Sequence, residues 1–410
     1  MRKHKILIVT GDYPPPAGGI QTFTYNLEQG LKMLGHEVRV LNFDGRNINN
    51  YKKLKLRDFF YTSATLHPFF INPFYILKPS GLRNFVYTNL MYRESRMEIN
   101  KFNPDIIHLM KPNLYSSIYN CRIPFLVTCH SEEIIDSYPV RYSLEHAPKI
   151  HCVSNFAKKL VLNITPNRKN NIKVIYNAIE LTEFGTSRKH HTRNWIITIC
   201  RLVKRKNVDN IIKAIKLLPY SILKNYKYII VGNGPERKNL ELMVKNLHLE
   251  ENVFLKGEVS ESERTQLLSS SKLFIMCPTT YKNENEGFGI SFIEAQAVGI
   301  PVIGSKNGGS PEAIGKGGLL VEDELDPKEI AKNIELLLTD KKIYNQLVQN
   351  IQKRIGQFDT KKHVRKIEKI YKEVIDENKI KVSSKEAKNS AYIKRFHVET
   401  NAIVGGIIKK

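Results

Sequence analysis

The sequence is short of the residues that staple or anchor a chain. It holds only five cysteines, Cys121, Cys129, Cys152, Cys200 and Cys277, each standing alone with no CxxC pair. A zinc site or a disulfide framework needs clustering, so these thiols read as small core residues in a reducing cytosol. Long hydrophobic runs are also missing, and none approaches the roughly 20 apolar residues of a membrane-spanning helix. The basic start, Met1 to Lys5, leads into Ile6-Leu7-Ile8-Val9, which ends at once in Thr10-Gly11-Asp12. That is a first β-strand, too short for the hydrophobic region of a signal peptide. No Ser/His/Asp order, P-loop or HExxH is present. The acidic cluster Glu322-Asp323-Glu324 falls in a late loop and reads as solvated, not metal-binding. Acid is the last shortage: 40 Asp+Glu face 64 Lys+Arg, a formal charge of +24. Such an excess favours a polyanion, whether nucleic acid, an anionic lipid surface or a phosphorylated small molecule. Nucleic acid is disfavoured, because no recognition motif appears and the cations are spread along the whole chain.

What is present is an ordinary soluble balance, 41% apolar and 25% charged over 410 residues, enough for two domains with separate cores. Short apolar runs alternate with segments of helical period. Six strands are expected in a first block: Lys5–Val9, Glu37–Leu41, Ile106–Leu109, Phe125–Thr128, Ile150–Val153 and Lys173–Ile175. After the polar stretch Gly185–Asn194 the alternation restarts with Trp195–Cys200, Tyr228–Val231, Val253–Leu255, Leu273–Met276, Val302–Ile303 and Leu319–Val321. Strand–helix alternation in two blocks predicts an α/β fold of two doubly wound parallel sheets. From Thr360 to Ile375, Val364, Ile367, Ile370, Tyr371, Val374 and Ile375 recur at helical spacing, predicting an amphipathic helix in need of a surface to cover.

Four segments can carry chemistry. In the first, Glu286-Gly287-Phe288-Gly289 precedes a helix that contains Glu294. The glycines let backbone amides approach a ligand, and the helix start offers unpaired N–H groups to an anion. Two carboxylates could then hold hydroxyls of one ligand. The plainer alternative makes Glu286 a helix cap and Glu294 a surface residue. In the second, Arg201 and Lys206 follow the strand that opens the second block, where ligands of open α/β sheets bind. Arg201 is a fork suited to phosphate oxygens and Lys206 adds a point charge; taken alone, the run reads equally well as a solvated loop. In the third, Gly18-Gly19 lies between the first strand and a helix, without GxGxxG spacing but able to form an anion nest or a plain connection. In the fourth, His130 ends an apolar strand, a position shared by structural and ligand-facing histidines.

Together these residues resemble the retaining GT-B glycosyltransferases of family 4, over about residues 5–375. Glu286 and Glu294 match that family's E-x7-E signature, Arg201 and Lys206 its R-x4-K diphosphate clamp, His130 its strand-end histidine, and Gly18-Gly19 its N-terminal glycine loop. The segments from Val153 to Leu160, Val174 to Ala178, Gly232 to Glu236 and Gly308 to Glu312 also fit, in the family's order. Cys200 stands where a glycine is usual before the arginine, and Ala178 where a glycine is usual after Asn177. The opening from Gly11 to Gln21 looks most like mannosyltransferases acting on lipid-linked acceptors.

The resemblance implies two Rossmann-like domains about a central cleft: residues 1–187 binding the acceptor, residues 194–358 binding the nucleotide sugar, a helix at 359–378 crossing back to the first domain, and a basic tail at 379–410. It implies transfer of a hexose, with retention, from a nucleoside diphosphate sugar to a glycan or lipid-linked acceptor in cell-surface polysaccharide or glycolipid synthesis. No cofactor or metal is expected, because Arg201, Lys206 and the amides of Gly287–Gly289 would meet the leaving diphosphate. His130 and Glu286 would serve the transferred sugar and Glu294 the ribose. A sugar-nucleotide epimerase or phosphorylase on the same fold would share the cleft. Residues 46–100 match nothing in the family. They mix basic and aromatic side chains, a composition that predicts an anionic membrane surface as partner, or else an ordinary core segment. The expected location is the cytoplasm, peripheral on the inner face of the cell membrane.

Overall fold

The structure is a computed structural model that describes residues 3–14, 18–43, 79–185 and 193–380, with the side chains of residues 79–87 and 89 excepted. Two six-stranded sheets form it. The first runs in the order β2-β1-β3-β4-β5-β6, from β1 (Lys5–Thr10), β2 (Glu37–Asn42), β3 (Ile106–Leu109), β4 (Phe125–Cys129), β5 (Lys149–Cys152) and β6 (Ile172–Val174). The second runs β12-β11-β10-β7-β8-β9, from β7 (Trp195–Ile199), β8 (Lys227–Val231), β9 (Val253–Gly257), β10 (Leu273–Met276), β11 (Val302–Ser305) and β12 (Gly318–Val321). All pairings within both sheets are parallel. Helices cover both faces, so the central strands are rich in Val, Ile and Leu with both alternate sets of side chains buried, whereas the edge strands β2, β9 and β12 are partly exposed. The strand order reverses beside β1 in the first sheet and beside β7 in the second. A ligand crevice opens at such a reversal, outside the carboxyl ends of the strands.

The two faces of the first sheet make separate cores. Leu7, Val9, Ile107 and Leu109 pack on one side, with Met91, Ile99 and Phe102 from the helix Pro79–Phe102. Ile6, Ile8, Ile106 and Leu126 pack on the other, against Phe23, Leu27 and Leu31 of the helix Gly19–Met33. The last helix, 360–380, closes this second core with Val364, Ile367, Ile370, Tyr371, Val374 and Ile375, the six residues whose spacing the sequence displays. It therefore lies on the first domain although it follows the second in the chain. Its approach is close: a Cβ on Gly30 would stand 2.5 Å from Val364. Glu368 pairs with His36 at 3.2 Å and Glu377 with Lys149 at 2.6 Å. The two chain crossings between domains run side by side, with Ile179 N donating to Phe358 O at 2.9 Å and Thr360 N to Ile179 O at 3.1 Å.

The expected basic, aromatic segment divides. Residues 46–78 lie outside the described residues. In the following helix, Met91, Ile99 and Phe102 are core side chains, Arg96 lies over the Tyr92 ring and Glu98 pairs with Arg39 at 2.8 Å. Those three side chains belong to the first domain's core, whereas Met97 on the same helix is exposed.

Candidate active site

The site is built at the carboxyl ends of β7 and β10, opposite the end of β4. β7 runs out at Ile199, and the chain makes a 3₁₀ turn over Lys204–Lys206 before the helix Val208–Lys216. The turn closes on Asn207 at φ 57°, ψ 33°, left-handed backbone that asparagine tolerates better than most residues. Its side-chain amide donates to Glu324 O at 2.6 Å, which fixes the turn.

From β10 a loop returns to Glu286. Its carboxylate is half of a close ion pair with Lys206 Nζ and lies 3.3 Å from Arg205. Burial raises the carboxyl's pKa, but Lys206 and Arg205 outweigh it and hold the group below the usual carboxylate range. Glu286 therefore stays anionic although little of it meets water. The two residues of the clamp expected from sequence are thus differently engaged. Lys206 is engaged with Glu286, with Met276 Sδ at 3.7 Å, whereas Arg201 is exposed and pairs with no other described residue.

Glycine is required twice in the loop. At Gly287 a Cβ would fall 2.1 Å from the carbonyl oxygen of His130, so the second domain's loop touches the first domain's strand end. Gly289 has φ +91° and caps the helix Ile290–Ala297. The Phe288 side chain is buried at the domain junction, stacked on Tyr176 at 5.5 Å and beside Phe358 at 6.0 Å. The aromatic ring anchors the loop and leaves only the backbone to a ligand. Glu294 is buried, on the second turn of the helix, and pairs with Arg264 at 3.3 Å. Burial pushes its carboxyl above the usual range, with Arg264 pulling against that. It is not a surface residue.

His130 follows β4 and is buried, its ring edge-on to Phe23 at 5.1 Å. The carboxylate of Glu133 accepts the N–H groups of His130 and, at 3.2 Å, Ser131, which pins the strand end. Burial, then the nearby His151 and Lys111, keep the imidazole well below its usual range and neutral. Its Nε2 has no partner among the described residues. Gly18 and Gly19 stand at the other reversal point. Gly18 is the extended N-cap of its helix, and Gly19 comes within 3.8 Å of Ile290 across the cleft if given a Cβ.

Sequence reasoning missed the contacts that hold the two halves of the site together, because they join residues far apart in the chain. Ser154 Oγ donates to Gly287 O at 2.7 Å while accepting from Ala157 N as the helix cap. Glu312 of the second domain accepts from Asn155 N at 2.7 Å and Phe156 N at 2.9 Å, an anion at the first domain's helix start. Arg205 reaches Glu132 of the first domain. Among the described residues no group of three His, Cys, Asp or Glu side chains could hold a metal ion.

Comparison with known proteins agrees with this architecture. The family model for glycosyltransferase family 4 matches residues 17–183, and that for group 1 glycosyl transferases matches residues 181–354. The chain belongs to the family 4, group 1 glycosyltransferases. It is 28% identical over 300 residues to the N-acetyl-alpha-D-glucosaminyl L-malate synthase of Bacillus anthracis, covering 67% of this chain and 74% of that one. With the phosphatidylinositol N-acetylglucosaminyltransferase gpi3 subunit of Schizosaccharomyces pombe it shares 23% identity, covering 75% of this chain and 67% of that one. Among solved structures, Anabaena HepE in complex with UDP-glucose superposes with a TM-score of 0.66 at 18% identity, covering 90% of this chain and all of that one. The fold is GT-B, two Rossmann-like domains about a cleft. As a glycosyltransferase it has its two carboxylates, its basic turn and its strand-end histidine at the facing ends of the two sheets.

Proposed function

We propose that the chain transfers a hexose, with retention at the anomeric carbon, from a nucleoside diphosphate sugar to a lipid-linked or glycan acceptor at the cytoplasmic face of a membrane. The observation that carries this is the Lys206–Glu286 pair at the β7–β10 crevice, beside a glycine loop and facing His130. A cation beside a hydroxyl-accepting carboxylate supports a reading in which one meets a phosphate and the other its sugar. As the glycosidic bond breaks, charge gathers on the departing diphosphate. Lys206, Arg201 and the amides from Gly287 to Gly289 would meet it, in the place a metal ion could otherwise take. Glu286, an acceptor only while ionised, would hold hydroxyls of the transferred sugar, with His130 Nε2 as a second acceptor. Glu294 would hold the ribose.

The two relatives named above are N-acetylglucosaminyl enzymes, so UDP-N-acetylglucosamine is the first donor to try, with GDP-mannose beside it for the likeness of the opening segment. The test is transfer by the full chain from a panel of nucleotide sugars to a lipid extract, with and without EDTA. Donor-dependent product with the donor's anomeric configuration, surviving EDTA, supports the reading. Inverted product, or activity lost to EDTA and restored by Mg²⁺, overturns the corresponding part.

A further inference from the structure

Arg205 sits between the two clamp positions and has more carboxylate partners than either. Its largely buried guanidinium pairs with Glu132 on the loop after β4, lies 3.7 Å from Glu284 and is 3.3 Å from Glu286. Its backbone is also held, because Thr279 N donates to Arg205 O at 2.8 Å. In a 3₁₀ turn successive side chains diverge by about 120°, so Arg205 and Lys206 approach Glu286 from two sides.

This double pairing matters once a diphosphate arrives. The lysine ammonium is a mobile point charge, and a phosphate at the end of β7 competes with Glu286 for it. A carboxylate nearly out of water that lost its only cation would take up a proton and cease to accept hydroxyl hydrogen bonds at both oxygens. Arg205 is not free to follow the phosphate. Its guanidinium is held from three sides, by Glu286 on Nη1, by Glu132 on Nη2 and by the charge of Glu284 at 3.7 Å from Nε.

We propose that Arg205 is a positioning residue that keeps Glu286 anionic and aimed into the cleft after a diphosphate has drawn Lys206 away. Through Glu132, that hold requires the first domain to be closed on the second. The proposal rests on the nucleotide-sugar reading above. Lys206 and Arg205 face Glu286 from the turn, Glu284 lies on its own loop, and the Cys200 thiol stands at the end of β7. Burial, with Lys206 pulling against it and Glu286 adding to it, raises that thiol to about 11, so it stays neutral through the acid range.

The full chain with Arg205→Gln, Arg205→Lys and Glu132→Gln tests this, by donor kinetics across pH and by an interdomain distance between paired spin labels without donor. Arg205→Gln should leave the donor KM nearly unchanged. It should lower kcat by up to about 10²-fold, the scale of a 1 Å misplacement, and move the acid limb of kcat up by about 1 pH unit. Arg205→Lys should restore the acid limb. Arg205→Gln and Glu132→Gln should both widen the interdomain distance, and the double variant should open no further than either alone. Unchanged kcat and acid limb in Arg205→Gln would overturn the positioning role, and so would a rise in donor KM alone, which would put Arg205 on the diphosphate. Unchanged distances would overturn the coupling through Glu132. Wild-type protein that transfers no sugar from any donor would instead sink the transferase reading on which the positioning role depends.

Discussion

Arg201 and Lys206 differ in their surroundings, one exposed and one paired with Glu286, yet both are expected to stabilise the leaving diphosphate. Replacing either by Ala should reduce turnover roughly 10²–10³-fold, about 2.7–4 kcal/mol, the loss for one donor to a developing oxyanion. Circular dichroism should show the fold intact. The two glutamates should separate kinetically. Glu286→Gln should lower kcat, because its contacts to the sugar must persist in the transition state, whereas Glu294→Gln should raise the donor KM. Steady-state kinetics with the opposite partition would exchange their roles. At this scale the sequence displays the residues that a ligand loop needs, because the carboxylate of Glu286 directly precedes the glycines Gly287 and Gly289 and stands eight residues before Glu294. It does not display Arg205 with Glu132, or Glu312 with Asn155. Contacts across a domain interface leave no spacing pattern in the chain. Nor does it display that Phe288 turns into the junction, since an aromatic beside a carboxylate reads the same facing either way.

The central strands are legible because parallel strands buried on both faces become β-branched and leucine runs, and the edge strands β2 and β9 keep enough of that pattern to be found. The helix Pro79–Phe102 is not, since its apolar residues Met91, Ile99 and Phe102 are diluted by charged ones that pair or stack at its surface. The amphipathic helix 360–380 is legible in its apolar stripe, but the polar chain beneath it is not. Here hydrogen-bond polarity is forced. His151 Nε2 must donate to the Ile175 carbonyl at 2.9 Å, so its Nδ1 accepts from Thr128 at 2.9 Å. Thr128 then accepts from His108 Nε2 at 2.6 Å, and His108 Nδ1 accepts from Tyr371 on the last helix at 2.6 Å. Burial holds His108 and His151 of this hydrogen-bonded run neutral, and likewise His363, whose Nδ1 donates to Tyr176 O at 2.9 Å. Burial pushes His151 down to about 4 and His363, with His151 beside it, down to about 3. Unfolded histidine titrates near 6.5. Stability from this chain is therefore complete above about pH 6.5 and falls as pH drops toward 4, by up to ~1.4 kcal/mol per unit for each histidine, because only the unfolded state takes up the proton. Urea unfolding at stepped pH checks this. Tyr371→Phe should cost about 1–3 kcal/mol at neutral pH by leaving His108 Nδ1 unpaired in the core. A midpoint flat between pH 6.5 and 4.5 would contradict the account.

At the scale of the molecule, the GT-B architecture follows from two blocks of strand–helix alternation, and the charge of +24 follows from the composition. Their link to a membrane stands as a proposal. No helix among the described residues is long and apolar enough to cross a bilayer. Cosedimentation with anionic vesicles should be measurable at low salt, weaken as salt rises, and fall when Lys52, Lys53 and Lys55 are changed to Glu. Each cation near an anionic surface contributes ~1 kcal/mol. Indifference of the wild type to such vesicles would remove the membrane and, with it, the lipid-linked acceptor.

The central claim is that the crevice at β7 and β10 takes a nucleoside diphosphate on Lys206 and Arg201. Isothermal titration of the purified chain with UDP and GDP measures it most directly. One of the two should bind in a salt-dependent manner. Lys206→Ala should weaken that binding roughly 10–100-fold, the equivalent of ~1.5–3 kcal/mol for one hydrogen bond to a charged group. Failure of both nucleotides to bind, or binding equally tight to Lys206→Ala, would contradict the account.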